Sequence, residues 1–316
     1  MFEIIDITPE GKRFLDEWEN SLPYITAHTS GSTGRPKEIH LSKDDMRVSA
    51  SSTNARFGID ASSCLFLPLS ADYIAGKMMI VRAIEAGCRL IMETPSGAPL
   101  KTDIGMIDLM AAVPSQCGSL TENESARRSL RNLIVGGAPM TKEQEDMLSV
   151  MPWRTFATYG MTETCSHVAL RAVGTETYEA MPGITFSSDE RGCLVIHAEK
   201  YSFRQLTTND IVDLTDDRHF RWCGRADNVI NSGGIKFSPE ELEKLLENRL
   251  PAPFFIHGAG SEKWGECIEL VTEADPSEEG HILDVCRKVL PRYGCPRQVL
   301  FVKTLPRTAN GKLRRR

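Results

Sequence analysis

Four short apolar runs constrain the fold more than any other feature of the chain. CLFLPL (64–69), CRLIM (88–92), LIVGG (133–137) and TFATYG (155–160) each have the length of a buried strand, and segments of helical period such as Gly76 to Ala86 lie between them. Such alternation implies an α/β sheet whose loops carry the site. Helix starts are marked by Ser42 ahead of Asp45, by Thr141 ahead of Gln144, and by Ser238-Pro239-Glu240-Glu241, which supplies a cap, a first-turn proline and an acid at the third position. After about residue 185 the pattern changes to hairpin-like alternation, in CLVIHA (193–198) and IVDLTDDRHFRWCG (211–224), with Asp216-Asp217 at a turn. A Gly-rich loop then leads into the Ser238 helix, and IHGAG, ECIELV and QVLFVK follow. The reading is a large α/β domain over 1–224 and a small α+β domain over 225–316.

Charge and length narrow the function classes. With 316 residues there is chain enough for two cored domains, and a formal net charge of −6 argues against bulk nucleic-acid binding, which needs a concentrated basic face. Arg314, Arg315 and Arg316 are too few to supply one and read as a solvated tail. No apolar run approaches the roughly 20 residues of a membrane span, and the N-terminus MFEIIDITPE is acidic, unlike a signal peptide, so a cytoplasmic protein is expected. Nine scattered cysteines without CxxC or zinc spacing read as reduced, mostly packed thiols.

One polar stretch stands apart. TSGSTGRPK (29–37) places Gly31 and Gly34 where backbone N–H groups can approach a ligand, with Ser30, Ser32 and Thr33 as donors and Lys37 as a charge. That composition suits a polyphosphate, although its spacing is not that of a Walker loop. A surface turn has the same composition.

Other segments decide between these readings. TSGSTGRPK resembles the phosphate loop of the adenylate-forming superfamily, which includes acyl-CoA synthetases, peptide-synthetase adenylation domains and luciferases. VGGAPM (135–140), YGMTET (159–164), TTNDIV (207–212), GRADNVINSGGIKFSPEELE (224–243) and LPRTANGKLRRR (305–316) resemble its remaining motifs, in family order. The resemblance implies ATP, Mg²⁺ and coenzyme A as co-substrates and cofactors, and a small carboxylic acid as the other substrate. Thr29, Ser30, Gly31, Ser32, Thr33, Gly34 and Lys37 would hold the β- and γ-phosphates. Gly136, Gly137 and Ala138 would wall the adenine, on which Tyr159, followed by Gly160, would stack. Thr162 would touch the α-phosphate, Glu163 would hold Mg²⁺, Asp210 and Arg225 would hold the ribose, and Lys312 would bridge the acyl carboxylate and the α-phosphate.

The second half-reaction implied is thiol attack on the acyl-adenylate. Asp227 matches the hinge about which relatives rotate the small domain. Gly233 and Gly234 match the loop nearest the thiol, with Lys236 beside them.

For the acid, the helix after LPLS carries Tyr73, Lys77 and Arg82. Two cations on an otherwise apolar helix either reach out to solvent or point inward, and inward they need an anionic partner. A second carboxylate on the substrate would supply it. MTETCSHVALRAV, AMPGITFSSDERGCLVIHA and YIAGK together resemble the o-succinylbenzoate–CoA ligase branch of the superfamily, which acts in menaquinone biosynthesis. Ser166, His167 and Arg171 would then line the aromatic end.

The chain departs from the family in two places. The large domain is shortened, with only 28 residues ahead of the phosphate loop, so the chain reads either as a minimal ligase or as one that leans on a partner or a dimer mate. TTND stands where TGD is commoner, losing a glycine and keeping the acid. Competing readings are another aryl or acyl ligase, a stand-alone adenylation domain loading a carrier protein, and a non-catalytic nucleotide-binding relative.

Overall fold

The computed structural model describes residues 2–29, 37–261, 265–307 and 315. The chain is a mixed α/β protein that divides into two compact units, one made of residues 1–186, 196–206 and 216–219, the other of residues 187–195, 207–215 and 220–316. This division is not a single cut at Gly224, because segments of the hairpin strands belong to each unit.

The first unit opens with β1 (Glu3–Ile5), α1 (Pro9–Glu19), β2 (Tyr24–Thr29), β3 (Lys37–Ser42) and α2 (Lys43–Phe57). It continues through β4 (Cys64–Leu67), α3 (Ile74–Ala86), β5 (Arg89–Met92), β6 (Leu109–Ala112), α4 (Pro114–Glu122), α5 (Glu124–Ser129), β7 (Asn132–Val135) and α6 (Lys142–Ser149). The antiparallel strands β8 (Arg154–Gly160), β9 (His167–Ala172) and β10 (Thr177–Ala180) complete it. Its sheet runs in the order β1-β5-β4-β6-β7-β8-β9-β10, parallel from β1 to β8. The four apolar runs are β4, β5, β7 and β8. Three of them are buried along nearly their whole length, the pattern of a parallel strand covered on both faces. The sequence runs left out β6, a four-residue strand directly after Asp108, whose carboxylate accepts from Cys64 N at 2.8 Å.

Phe66, Ile91, Met110, Leu120, Leu133 and Trp153 form part of the core against the sheet. Helix α3 is buried continuously from Gly76 to Ala83, so its middle two turns lie inside the unit while both ends reach the surface. Lys77 and Arg82 are thereby carried into the interior. The caps read from the sequence are present: Ser42 Oγ accepts from Asp45 N, and Thr141 and Gln144 form a reciprocal capping box at α6.

Four strands follow: β11 (Thr185–Ser188), β12 (Cys193–Ala198), β13 (Arg204–Leu214) and β14 (His219–Arg225). They run as a meander, and β13 and β14 pair antiparallel with Asp210 opposite Arg225. Beyond them come β15 (Ile230–Ser232), β16 (Ile235–Phe237), α7 (Pro239–Leu246), β17 (Phe254–Ser261), β18 (Gly265–Thr272), α8 (Glu279–Val289) and β19 (Gln298–Phe301). Their sheet, with α7 and α8, encloses a second core of Leu242, Leu246, Ile256, Ile268, Ile282 and Val299. Among the described residues, no helix is long and apolar enough to cross a membrane.

Candidate active site

In the first unit the predicted nucleotide residues sit at chain ends and turns of the sheet. Strands β2 and β3 pair antiparallel up to Thr29 opposite Lys37, the two ends of the predicted phosphate segment. Ser30, Gly31, Ser32, Thr33 and Gly34 lie outside the described residues, as do the side chains of Thr29 and Lys37.

Gly136, Gly137 and Ala138 follow β7 directly, at the carboxyl end of a parallel strand where α/β sheets place their ligands. A Cβ on Gly136 would lie 2.3 Å from Thr158 Oγ1, a hydroxyl that is itself bound to the Val135 carbonyl at 3.2 Å. Only glycine fits there, and the result is bare backbone facing the end of β8. Tyr159 sits on that strand, half-buried, with its ring edge-on to Tyr178 at a centroid distance of 5.8 Å.

Between Tyr159 and Gly160 the pairing of β8 with β9 slips, and a single 3₁₀ turn, Thr162–Thr164, follows in the connection to β9. Thr164 Oγ1 accepts from Met161 N at 3.0 Å and lies 2.7 Å from the Ser166 carbonyl, tying both sides of the turn together. Cys165, fully buried, closes it at φ +61°, a left-handed conformation that non-glycine residues seldom adopt. The turn leaves Thr162 half-buried and Glu163 exposed. Cys165 carried no signal in the sequence beyond its thiol.

Behind the turn lies a buried polar group built from three elements. Arg82 of α3 is 1% exposed, and its guanidinium donates to Ser166 Oγ at 2.6 Å and contacts Met79 Sδ at 3.4 Å. Its Nε–H has no partner, and it forms no ion pair among the described residues. Burial lowers its pKa to about 10, which leaves it charged at neutral pH. Ser166 Oγ lies 3.4 Å from His167 Nδ1, and His167 Nε2 lies 3.3 Å from Thr53 Oγ1 of α2. Burial, reinforced by the Arg82 charge, holds His167 well below the usual histidine range, so it is neutral. Thr53 was not foreseen, because a threonine inside a helical run has no signature of its own.

Two of the residues expected beside the acid are engaged elsewhere. Lys77 is buried, but it pairs with Glu17 of α1 at 3.3 Å and stands over the Phe14 ring at 4.7 Å. The anion its burial demands is thus supplied by the chain itself. Arg171 pairs with Glu145 of α6 at 2.5 Å and lies over the Tyr178 ring at 5.5 Å. It is four residues along β9 from His167, about 13 Å at the rise of a strand. Each of these two cations thus has an anionic partner within the chain. Tyr73 stands at the start of α3 and is 56% exposed.

The second unit gathers another set. Asp210, 7% exposed, accepts from Trp222 Nε1 at 3.2 Å and meets Arg225 at 3.5 Å across the β13–β14 ladder. Arg225 also binds Asp227 at 2.9 Å, and Asp227 is further held by Asn209 Nδ2 at 3.3 Å. Trp222 fixes the carboxylate, and its part was hidden because it lies twelve residues from Asp210. Gly233 and Gly234 form the two-residue turn between β15 and β16 with φ of +60° and +82°, both left-handed, as the tightest hairpin requires. Lys236 is exposed on β16. Lys312 lies outside the described residues, three positions before Arg315, which is within them.

Comparison with known proteins identifies the family and the fold. The AMP-binding enzyme family matches residues 12–191, and the AMP-binding enzyme C-terminal domain matches residues 238–312. The 2-succinylbenzoate–CoA ligase of Bacillus cytotoxicus is 25% identical, over 100% of this chain and 74% of its own length. A solved acyl-CoA synthetase (AMP-forming)/AMP-acid ligase II-like protein from Dyadobacter fermentans is 31% identical with a TM-score of 0.65, over 97% of this chain and 92% of that one. The o-succinylbenzoate CoA synthetase of Bacillus subtilis, solved with its acyl-adenylate intermediate, is 22% identical and shares the fold at a TM-score of 0.77, over 92% of this chain and 67% of that one. With the first match alone spanning more than half of its length, the chain belongs to the AMP-binding enzymes, a family of AMP-forming ligases.

Proposed function

We propose that the chain is an ATP-dependent acid–CoA ligase that activates o-succinylbenzoate for menaquinone biosynthesis. The observation that carries the choice of acid is Arg82, a buried guanidinium with a hydrogen bond to Ser166 and no carboxylate partner among the described residues. A buried cation without an anion is costly, and a substrate carboxylate docking on it would repay that cost only when bound. o-Succinylbenzoate has one carboxylate to activate and a second to be held. Similarity to the Bacillus cytotoxicus ligase supports the same reading.

The chemistry proceeds in two steps. The succinyl carboxylate oxygen bonds to the α-phosphorus of ATP while the Pα–O–Pβ bond breaks, and pyrophosphate leaves with the electron pair. The CoA sulfur then attacks the acyl carbon, its proton is lost, and AMP departs as the C–O bond breaks. Both reactants of the first step are anionic, so the site must screen their repulsion and stabilise the leaving pyrophosphate. In this reading the 29–37 segment holds the β- and γ-phosphates, Gly136 to Ala138 face the adenine beside Tyr159, Thr162 meets the α-phosphate, and Asp210 with Arg225 holds the ribose. Lys312 bridges carboxylate and α-phosphate.

Mg²⁺, when bound, supplies charge neutralisation. No cluster of three or more acidic, histidine or cysteine residues that could cage a metal occurs among the described residues, and Glu163 stands exposed on its turn. A single carboxylate fits a cation held otherwise by phosphate oxygens and water. For the second step the bare Gly233-Gly234 turn leaves room for a thiol arm, with Lys236 beside it. One Lys312 cannot serve adenylation and an open thiolation site together, so the 225–316 domain turns about Asp227 between the steps.

The test is product analysis. Incubation with ATP, Mg²⁺, CoA and o-succinylbenzoate should give o-succinylbenzoyl-CoA by mass, and the derivative esterified at the benzoate carboxyl should react poorly. Equal turnover of the ester would remove Arg82's assigned role.

A further inference from the structure

In the sequence the terminal arginines read as a solvated basic tail, and the structure overturns that for one of them. Arg315 is largely buried, its side chain 16% exposed, and it faces two carboxylates of α7. Its guanidinium donates to Glu243 Oε2 at 2.6 Å and again to Oε1, in the two-pronged geometry that suits arginine and not lysine. The same group donates to the Ile256 carbonyl of β17 at 2.8 Å, approaches Glu240 at 3.6 Å, and lies 5.9 Å from the centre of the Phe255 ring. Glu243 in turn accepts from Ile256 N at 2.6 Å, so one carboxylate joins helix, strand and chain end. Glu240 also accepts from Asn228 Nδ2 at 2.6 Å, next to Asp227. A cation taken out of water is retained only where such partners meet it.

The clamp lies three residues beyond Lys312. Three residues of fully extended chain reach no more than about 11 Å, so anchoring Arg315 limits how far the lysine can stray from the clamp. We propose that Arg315 is a positioning residue for the adenylation step, acting by fixing the chain that carries Lys312 through Glu243 and Glu240. This rests on the role given to Lys312 above. A lysine that must bridge two anions loses rate steeply when misplaced by even 1 Å, so an anchor three residues away bears on its rate.

The test measures the two half-reactions separately in the full-length protein. Adenylation is read as pyrophosphate release from ATP and acid without CoA, and thiolation as thioester formation from preformed acyl-adenylate and CoA. Arg315→Met and Glu243→Gln should each lower the adenylation kcat roughly 10- to 100-fold with ATP KM nearly unchanged, and leave thiolation within about twofold. Arg315→Lys, which keeps the charge and loses the fork, should fall between, and serves as the readout if Arg315→Met does not fold. Equal loss in both half-reactions together with a lowered Tm would show a merely structural clamp and overturn the proposal, as would unchanged adenylation. Lys312→Met separates the two claims. If it abolishes adenylation while Arg315→Met does not, Lys312 keeps its role and the positioning claim fails. If Lys312→Met adenylates normally, both fall.

Discussion

The Arg82 guanidinium lies 2.6 Å from Ser166 Oγ and is 1% exposed, so one hydroxyl is the sole oxygen that a full buried charge hydrogen-bonds among the described residues. Such a group is held at the expense of stability. Arg82→Met, which keeps the length and removes the charge, should stabilise the substrate-free protein by about 1–4 kcal/mol, read as a higher Tm. It should also raise KM for the dicarboxylate at least tenfold and leave a monocarboxylate unaffected. A lowered Tm would mean that the charge has an anionic partner at rest.

Lys77 behaves in the opposite way. Its partner Glu17 also accepts from Thr26 N at 2.8 Å, so the pair ties α1, β2 and α3 together. Lys77→Met should cost about 1–3 kcal/mol, less than a fully buried pair because Glu17 is 29% exposed, and leave the acid KM alone. Denaturant melts and steady-state kinetics on one preparation would check both halves of that statement.

His167 sets a pH dependence. It is buried and neutral in the folded state, with its pKa well below 6.5, whereas in the unfolded chain it titrates near 6.5. Below that value the unfolded state binds the extra proton, so stability is full above about pH 6.5 and declines as pH falls, by up to about 1.4 kcal/mol per pH unit. His167→Gln should flatten that part of the stability profile between pH 6.5 and 5. A profile identical to that of the parent protein would place the pH sensitivity elsewhere.

Asp210 and Gly136 test the nucleotide side. Asp210→Asn keeps the shape and removes the charge that faces Arg225, and calorimetry should show ATP binding weakened by about 1.5–3 kcal/mol, as for a lost charged hydrogen bond. Gly136→Ala drives a methyl against Thr158 Oγ1, 2.3 Å away, and should cost about 1–3 kcal/mol. Adding Thr158→Ala should recover part of that loss. If it recovers none, the clash is not the cause.

Much of this was legible because it is local. The strands β4, β5, β7 and β8 and the caps at Ser42, Thr141 and Ser238 are each written within a few residues. So are the motifs at 135–140, 159–164 and 207–212, and the turn at Gly233-Gly234. What was not legible depends on partners far along the chain. Lys77 and Arg82 look alike on one helix, and only the fold shows that Glu17, sixty residues back, answers the first while no carboxylate among the described residues answers the second. Arg171 meets Glu145 across 26 residues, Trp222 reaches Asp210 across a hairpin, and Arg315 reaches Glu243 across 72. Burial was equally hidden for Arg315, since charged residues at a chain end are mostly exposed.

The most direct measurement is pyrophosphate release by the purified protein with ATP and Mg²⁺, with and without CoA, on o-succinylbenzoate, benzoate and succinate. The account predicts sustained release on o-succinylbenzoate that requires CoA for multiple turnovers, and little on either single fragment. Release that is equal on benzoate or succinate, or absent on o-succinylbenzoate while another acid is turned over, would contradict it.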